Sequence, residues 1–198
     1  MSSGPGYGTL AGAWLRGSTQ FLEGVVAANR AALAAFGGHD SDDTPAEGAL
    51  AGEERPEWEV DLTEHRRDAL SVGDHVRFSK TLTDTDVREF ARASGDTNPL
   101  HLDERFAERT RFGGRIAHGT LASGLISAAL ARLPGLVVYL SQDVEFRNPV
   151  DIGDRTTAEC EIVEDLGGDR YRIATTVTTD DATAIDGEAV VLLDEVGD

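Results

Sequence analysis

One short stretch constrains this chain more than any other: Ser94-Gly95-Asp96-Thr97-Asn98-Pro99-Leu100-His101. It places an acid, an amide and an imidazole side by side, with Gly95 and Pro99 bracketing the turn between them. At about 100° per residue, a regular helix would send Asp96 and His101 to different sides. Pro99 discourages a helix through Asn98, so the stretch is expected to be a fixed loop. A loop can aim both side chains into one cleft, where a carboxylate and an imidazole together take a proton from water. The competing reading is an Asx-turn, with Asp96 and Asn98 bonding local backbone and His101 merely packed.

Two further blocks bear on that choice. Ile116-Ala117-His118-Gly119-Thr120-Leu121 opens an apolar segment, and Val144-Glu145-Phe146-Arg147-Asn148-Pro149-Val150-Asp151-Ile152-Gly153-Asp154 follows downstream. In this order and spacing, the three blocks resemble the MaoC-like, (R)-specific enoyl-CoA hydratase family of hot-dog-fold proteins. The resemblance runs from about residue 70 to the end of the chain.

Hydrophobic periodicity gives an α+β architecture independently of that likeness. His75 to Leu82 alternates as a first strand. Thr83, with Asp86 three places on, forms a capping box before a short helix carrying Val87, Phe90, Ala91 and Ala93. Asp103 is placed to cap another short helix through Arg109. Gly119 to Leu133 is apolar or small around most of its circumference, which predicts a long buried helix, and Pro134-Gly135 stops it. Four strand-like runs follow, Val137–Phe146, Arg155–Glu164, Tyr171–Thr179 and Ala184–Leu193, with turns between them. One strand, a buried helix and four meandering strands predict an antiparallel sheet wrapped around one helix. Trp58 to Leu70 is a lead-in with at most a turn of helix.

The hydratase-like domain is expected over residues 58–198. Residues 1–36 are expected to hold a helical extension, with a helix from Trp14 to Phe36 that ends at Gly37-Gly38. Leu15, Leu22, Val25, Val26, Leu33 and Phe36 form its apolar stripe, and Asn29 falls inside it. That stripe calls for a packing surface. It is expected to dock on a partner or a polyester granule, the alternative being its own domain. Residues 37–57 read as an acidic, flexible linker.

Composition limits the partners. The formal net charge is −18, and Lys80 is the sole lysine. So acidic a surface argues against nucleic acid and anionic membranes as ligands. It suits a protein of a salt-rich cytoplasm, where the Debye length falls to about 3 Å and self-repulsion is screened. No apolar run is long enough for a membrane span, and the N-terminus lacks the basic start of a Sec signal. Cys160 is the single cysteine and is expected in the core. A cytoplasmic location is the default expectation.

The resemblance implies the chemistry. It makes Asp96 and His101 the general acid–base pair that holds the attacking water, and Gly119 the oxyanion-hole residue. A glycine N–H at the start of a buried helix is unpaired, lies at the positive end of the dipole and is open to a thioester carbonyl. Asn98, His118, Ser127, Leu130 and Arg115 are the expected substrate-binding residues. For Asn98, bracing the turn stands beside orienting the water. For His118, shaping the opening of the helix stands beside reactivity. For Ser127, a bond to its own helical turn is the alternative. Arg109, Arg111, Arg115 and Arg147 are candidates for the coenzyme A phosphates, against pairing with Glu104 and Glu108.

No metal-ligand cluster and no cofactor beyond the coenzyme A of the substrate are expected. The implied protein is a homodimer that hydrates trans-2-enoyl-CoA to (R)-3-hydroxyacyl-CoA, with polyhydroxyalkanoate monomer supply as an implied role. The alternatives are a hydratase or dehydratase of another unsaturated acyl thioester, and a non-catalytic acyl-CoA-binding module on the same fold.

Overall fold

The computed structural model describes residues 57–194. The helix expected within 1–36 and the linker expected over 37–57, apart from residue 57 itself, lie outside the described residues. The described elements are β1 (Glu59–Leu62), β2 (His75–Thr81), α1 (Asp84–Ser94), α2 (Pro99–Leu102), α3 (Glu104–Ala107), α4 (Gly119–Leu130), β3 (Leu136–Phe146), β4 (Arg155–Asp165), β5 (Arg170–Thr178) and β6 (Thr183–Asp194). A single turn of 3-10 helix, Arg67–Ala69, connects β1 to β2. Among the described residues, no helix is long and apolar enough to cross a membrane.

The strands form one six-stranded antiparallel sheet in the order β1-β2-β4-β5-β6-β3. Alternation sets their inner face. Val76 and Phe78 on β2, Ala158, Cys160 and Ile162 on β4, Ile173 and Val177 on β5, and Ala189, Val191 and Leu193 on β6 are all buried. They enclose the apolar side of α4, where Ala122, Leu125, Ile126, Ala129 and Leu130 are buried. Cys160 lies in this core, its thiol facing the Ile126 carbonyl at 3.9 Å. Each fully buried Val, Leu, Ile or Phe in such a core contributes about 1.5–3 kcal/mol. A sheet wrapped on one central helix is the hot-dog arrangement expected from the sequence.

Three details differ from the sequence expectation. First, the lead-in holds a strand: β1 pairs with β2 from Glu59↔Ser79 to Leu62↔Val76. Second, the last four strands are not a simple meander. β3 skips β4 and closes the far edge against β6. Gly187 permits that pairing, because a Cβ there would stand 2.1 Å from the Asp143 carbonyl oxygen. Third, Pro99 does not keep the Asp96 stretch free of helix. It occupies the first turn of α2, where its missing N–H costs no hydrogen bond.

The capping box before α1 is complete. Thr83 Oγ1 accepts from the Asp86 N–H at 3.2 Å, and Asp86 Oδ2 accepts from the Thr83 N–H at 2.8 Å. Lys80 joins it, with Nζ 2.6 Å from Asp86 Oδ1. At the other end, Gly95 caps α1 in the left-handed region at φ 78° and turns the chain toward the candidate site.

Candidate active site

The loop after α1 is braced by its own side chains. Ser94 Oγ donates to the Phe90 carbonyl and accepts from the Asp96 N–H at 3.2 Å. Asp96 Oδ1 accepts from the Asn98 N–H at 3.2 Å, and Asn98 Oδ1 accepts from the Leu100 N–H at 3.1 Å. Asn98 therefore caps α2, which is the turn-bracing role. The Asx-turn is thus formed, and it is compatible with a catalytic Asp96. The turn fixes the backbone, and Asp96 keeps carboxylate surface exposed.

His101 sits on α2 and is 8% exposed. Its Nδ1 lies 2.8 Å from the Ile116 carbonyl oxygen. A carbonyl can only accept, so Nδ1 carries the proton and Nε2 presents a lone pair. That is the tautomer of a general base.

His118 approaches from the start of α4. Its ring is 1% exposed and lies between two others. The Phe90 centroid is at 4.9 Å and the His101 centroid at 3.9 Å. Its Nε2–H donates to the Asp96 carbonyl oxygen at 3.1 Å. Burial holds its pKa below the ordinary imidazole value. The bond to Asp96 opposes that shift, and the neighbouring His101 adds to it.

Asp96, His101 and His118 each place a nitrogen or carboxylate oxygen within 4.8 Å of the others. The two imidazole planes meet at only 33° across 3.9 Å. Each ring commits one nitrogen to a backbone carbonyl. The cluster offers an acceptor nitrogen on His101 and a carboxylate on Asp96, the kinds of group a proton transfer uses.

His101 and Gly119 line one cleft of about 240 Å³, together with Arg111, Phe146, Arg147 and Asn148. His118 precedes α4 without a side-chain cap bond, because its ring is turned to Asp96. The first-turn N–H groups of α4 thus keep the positive end of the helix dipole open toward that cleft. The Phe146 ring lies against Gly119, where a Cβ would come within 2.8 Å of its edge.

Ser127 and Leu130 lie elsewhere. They line a second cavity of about 200 Å³ with Ala131, Leu136, Val137 and Tyr139. Arg115 does not line either cavity. Its guanidinium reaches Asp84 at 2.7 Å and Glu104 at 3.0 Å, which ties α1 to α3. Those bonds raise its pKa, the Asp84 bond first. Of the candidate phosphate ligands, Arg111 and Arg147 line the first cleft. Arg147 also pairs with Glu145 at 2.7 Å and Asp186 at 3.4 Å.

Phe146 and Asn148 were not among the residues singled out from sequence. Both belong to the third block, Val144 to Asp154, and that block was the available signal. Asn148 Nδ2 donates to the Thr183 carbonyl at 2.8 Å, which fixes the chain where β3 ends.

Comparison with known proteins bears on the family and the fold. Residues 68–184 match the model of the MaoC like domain. The chain is 47% identical over 125 residues to a 3-hydroxybutyryl-CoA dehydratase of Methylorubrum extorquens, covering 62% of this chain and 80% of that protein. It is 38% identical over 136 residues to an (R)-specific enoyl-CoA hydratase of Rhodospirillum rubrum, covering 67% and 94%. It superposes on the structure of an (R)-hydratase from A. caviae involved in PHA biosynthesis with a TM-score of 0.61, at 38% identity, over 64% of this chain and 98% of that one. A domain match over most of the described residues and the hot-dog sheet around α4 lead to one assignment: the chain belongs to the MaoC-like family.

Proposed function

We propose that this hydro-lyase adds water to trans-2-enoyl-CoA and forms (R)-3-hydroxyacyl-CoA. The observation that carries the reading is the His101 tautomer. Its Nδ1–H is spent on Ile116, which leaves Nε2 free; a ring nitrogen of His101 lies within 4.8 Å of an Asp96 carboxylate oxygen, and His101 lines the cleft that holds Gly119, although Asp96 does not. A water between Asp96 and His101 loses a proton to the pair as its oxygen bonds C3. Negative charge builds on the thioester oxygen, which the Gly119 N–H and the start of α4 stabilise. The pair then returns a proton to C2, so the net change is the addition of one water.

Arg111 and Arg147 are the side chains proposed to meet the coenzyme A phosphates, since both line the cleft and arginine forks suit phosphate. Arg115 serves instead to brace α1 against α3. Ser127 and Leu130 would bound the acyl chain through the second cavity. The reaction needs no cofactor besides the coenzyme A of its substrate. A homodimer is supported by β3, an outer strand that exposes Leu136, Tyr139 and Phe146. The likeness to a hydratase of PHA biosynthesis supports a role in supplying (R)-3-hydroxyacyl monomers. The charge of −18 supports a salt-rich cytoplasm as the setting.

A second reading, dehydration of a 3-hydroxyacyl thioester, is favoured by the relative named as a dehydratase. The same groups run that reaction in reverse. Crotonyl-CoA hydration, followed by loss of the enoyl thioester, tests the proposal. The expected product is (R)-3-hydroxybutyryl-CoA, and the (S) isomer should not be dehydrated. No turnover of crotonyl-CoA, or an (S) product, would overturn it.

A further inference from the structure

We propose that His118 is a positioning residue, which clamps the backbone of Asp96 through Nε2–H so that carboxylate and imidazole keep the spacing a water needs between them. The inference rests on the assignment of Asp96 and His101 to the proton transfers.

Asp96 follows Gly95, whose left-handed conformation is set by the end of α1. The bonds within the loop are local: Ser94 to Asp96, Asp96 to Asn98, and Asn98 to Leu100. They fix the shape of the turn without fixing where it lies over the cleft. The bond from His118 spans 22 residues and joins the Asp96 carbonyl to the start of α4. Gly119 is the next residue. One side chain therefore sets the distance between the acid and the helix end that receives the thioester charge.

The side chain type carries the same message. His118 is 1% exposed and stacks between Phe90 and His101. Filling that space would need only an apolar ring. The imidazole instead leaves Nδ1 buried without a hydrogen-bond partner. A buried unpaired acceptor is unfavourable, and a residue kept only for packing would avoid it. What the imidazole supplies that an apolar ring does not is the Nε2–H on Asp96. Single protonation also matters for His101. A charged ring 3.9 Å away would oppose the positive charge that His101 gains on taking a proton. Burial keeps His118 uncharged.

Two variants of the full chain separate a clamp from a spacer. In His118→Gln the amide nitrogen falls near the position of Nε2 and can reach the Asp96 carbonyl. In His118→Asn it falls near Nδ1 and cannot. H118N should lower kcat for crotonyl-CoA by about tenfold or more with KM little changed, the scale of a misplaced reacting group. H118Q should recover most of that loss. Amide hydrogen exchange over residues 95–100 should quicken in H118N and stay near wild type in H118Q. If H118N does not fold, His118→Met gives similar reach without a donor and takes its place.

Equal kcat in wild type and H118N, equal impairment of both variants, or a loss confined to KM would overturn the clamp. If wild type does not hydrate crotonyl-CoA, the functional reading fails. The exchange measurement then decides the clamp alone, and unchanged exchange in H118N overturns it.

Discussion

His101 and His118 stack at 3.9 Å between ring centroids, yet they bond carbonyls on different segments, Ile116 and Asp96. The first bond leaves His101 with a free Nε2. The second ties the acid to the helix that follows. Two histidines of the same chemistry thus stand in different settings: one keeps a ring nitrogen free, and the other is bonded to the Asp96 backbone.

The proton-transfer pair gives the most direct expectation. Asp96→Asn should cut kcat for enoyl-CoA hydration by about 10² or more, the usual scale for a lost general base. His101→Ala should do the same. Circular dichroism should show both variants folded, because the Asp96 carboxylate is exposed and the loop keeps its other bonds. Rates near wild type would remove the pair from the mechanism.

Gly119→Ala tests the oxyanion site. The added methyl would stand 2.8 Å from the Phe146 ring. Phe146 is 58% exposed, so its ring can turn aside and the melting temperature should change little. The methyl would still crowd the approach to the Gly119 N–H. Activity should fall by about tenfold to 10²-fold, below or at the edge of the range for a lost oxyanion donor. Steady-state kinetics and a thermal melt on the same sample decide it.

Acid should weaken the fold through His118. Its folded pKa lies below the ordinary 6.5 because the ring is buried. The unfolded chain therefore takes up a proton first as pH falls. The contribution is fully present above about pH 6.5 and is lost as pH drops from there through the folded pKa. Urea midpoints at about pH 7.5 and about pH 5.5 should differ more in wild type than in H118Q, which has no imidazole at this position to titrate. An equal difference in both proteins would contradict the assignment.

Lys80 makes a half-hidden ion pair. Its side chain is 14% exposed and that of Asp86 20% exposed, with 2.6 Å between Nζ and Oδ1. Burial alone would raise the Asp86 pKa, but the bonds from Lys80 and Thr83 outweigh it and leave the carboxyl below its usual range. Lys80→Met removes the countercharge and keeps the stem. It should destabilise the fold by about 1.5–3 kcal/mol, the range for a hydrogen bond to a charged group. Chemical denaturation measures this, and a loss of only a few tenths would place the pair among ordinary surface ion pairs.

Local signals made much of this protein legible in its sequence. Thr83 and Asp86 marked the start of α1, the unbroken apolar run marked α4, and period-two alternation marked β2, β4, β5 and β6. Each rests on neighbours within a few residues. The SGDTNPLH stretch likewise named Asp96 and His101, because their chemical types and spacing are properties of the chain itself.

What the tertiary structure alone decided depends on distant partners. β1 carries mostly exposed residues and exists as a strand because β2 offers it an edge. β3 pairs with β6 because Gly187 lets the two backbones meet. Pro99 broke the helix expectation in one direction only, since a proline fits a first turn as readily as it ends a run. Arg115, Ser127 and Leu130 were placed away from the His101 cleft by the packing of helices and sheet. The partners of His118 lie on α1, on α2 and in the loop between them, and no rule of local spacing brings those rings and that carbonyl together. Periodicity and capping are short-range and can be read along the chain; a tautomer and a stack are fixed only where folding closes the distance.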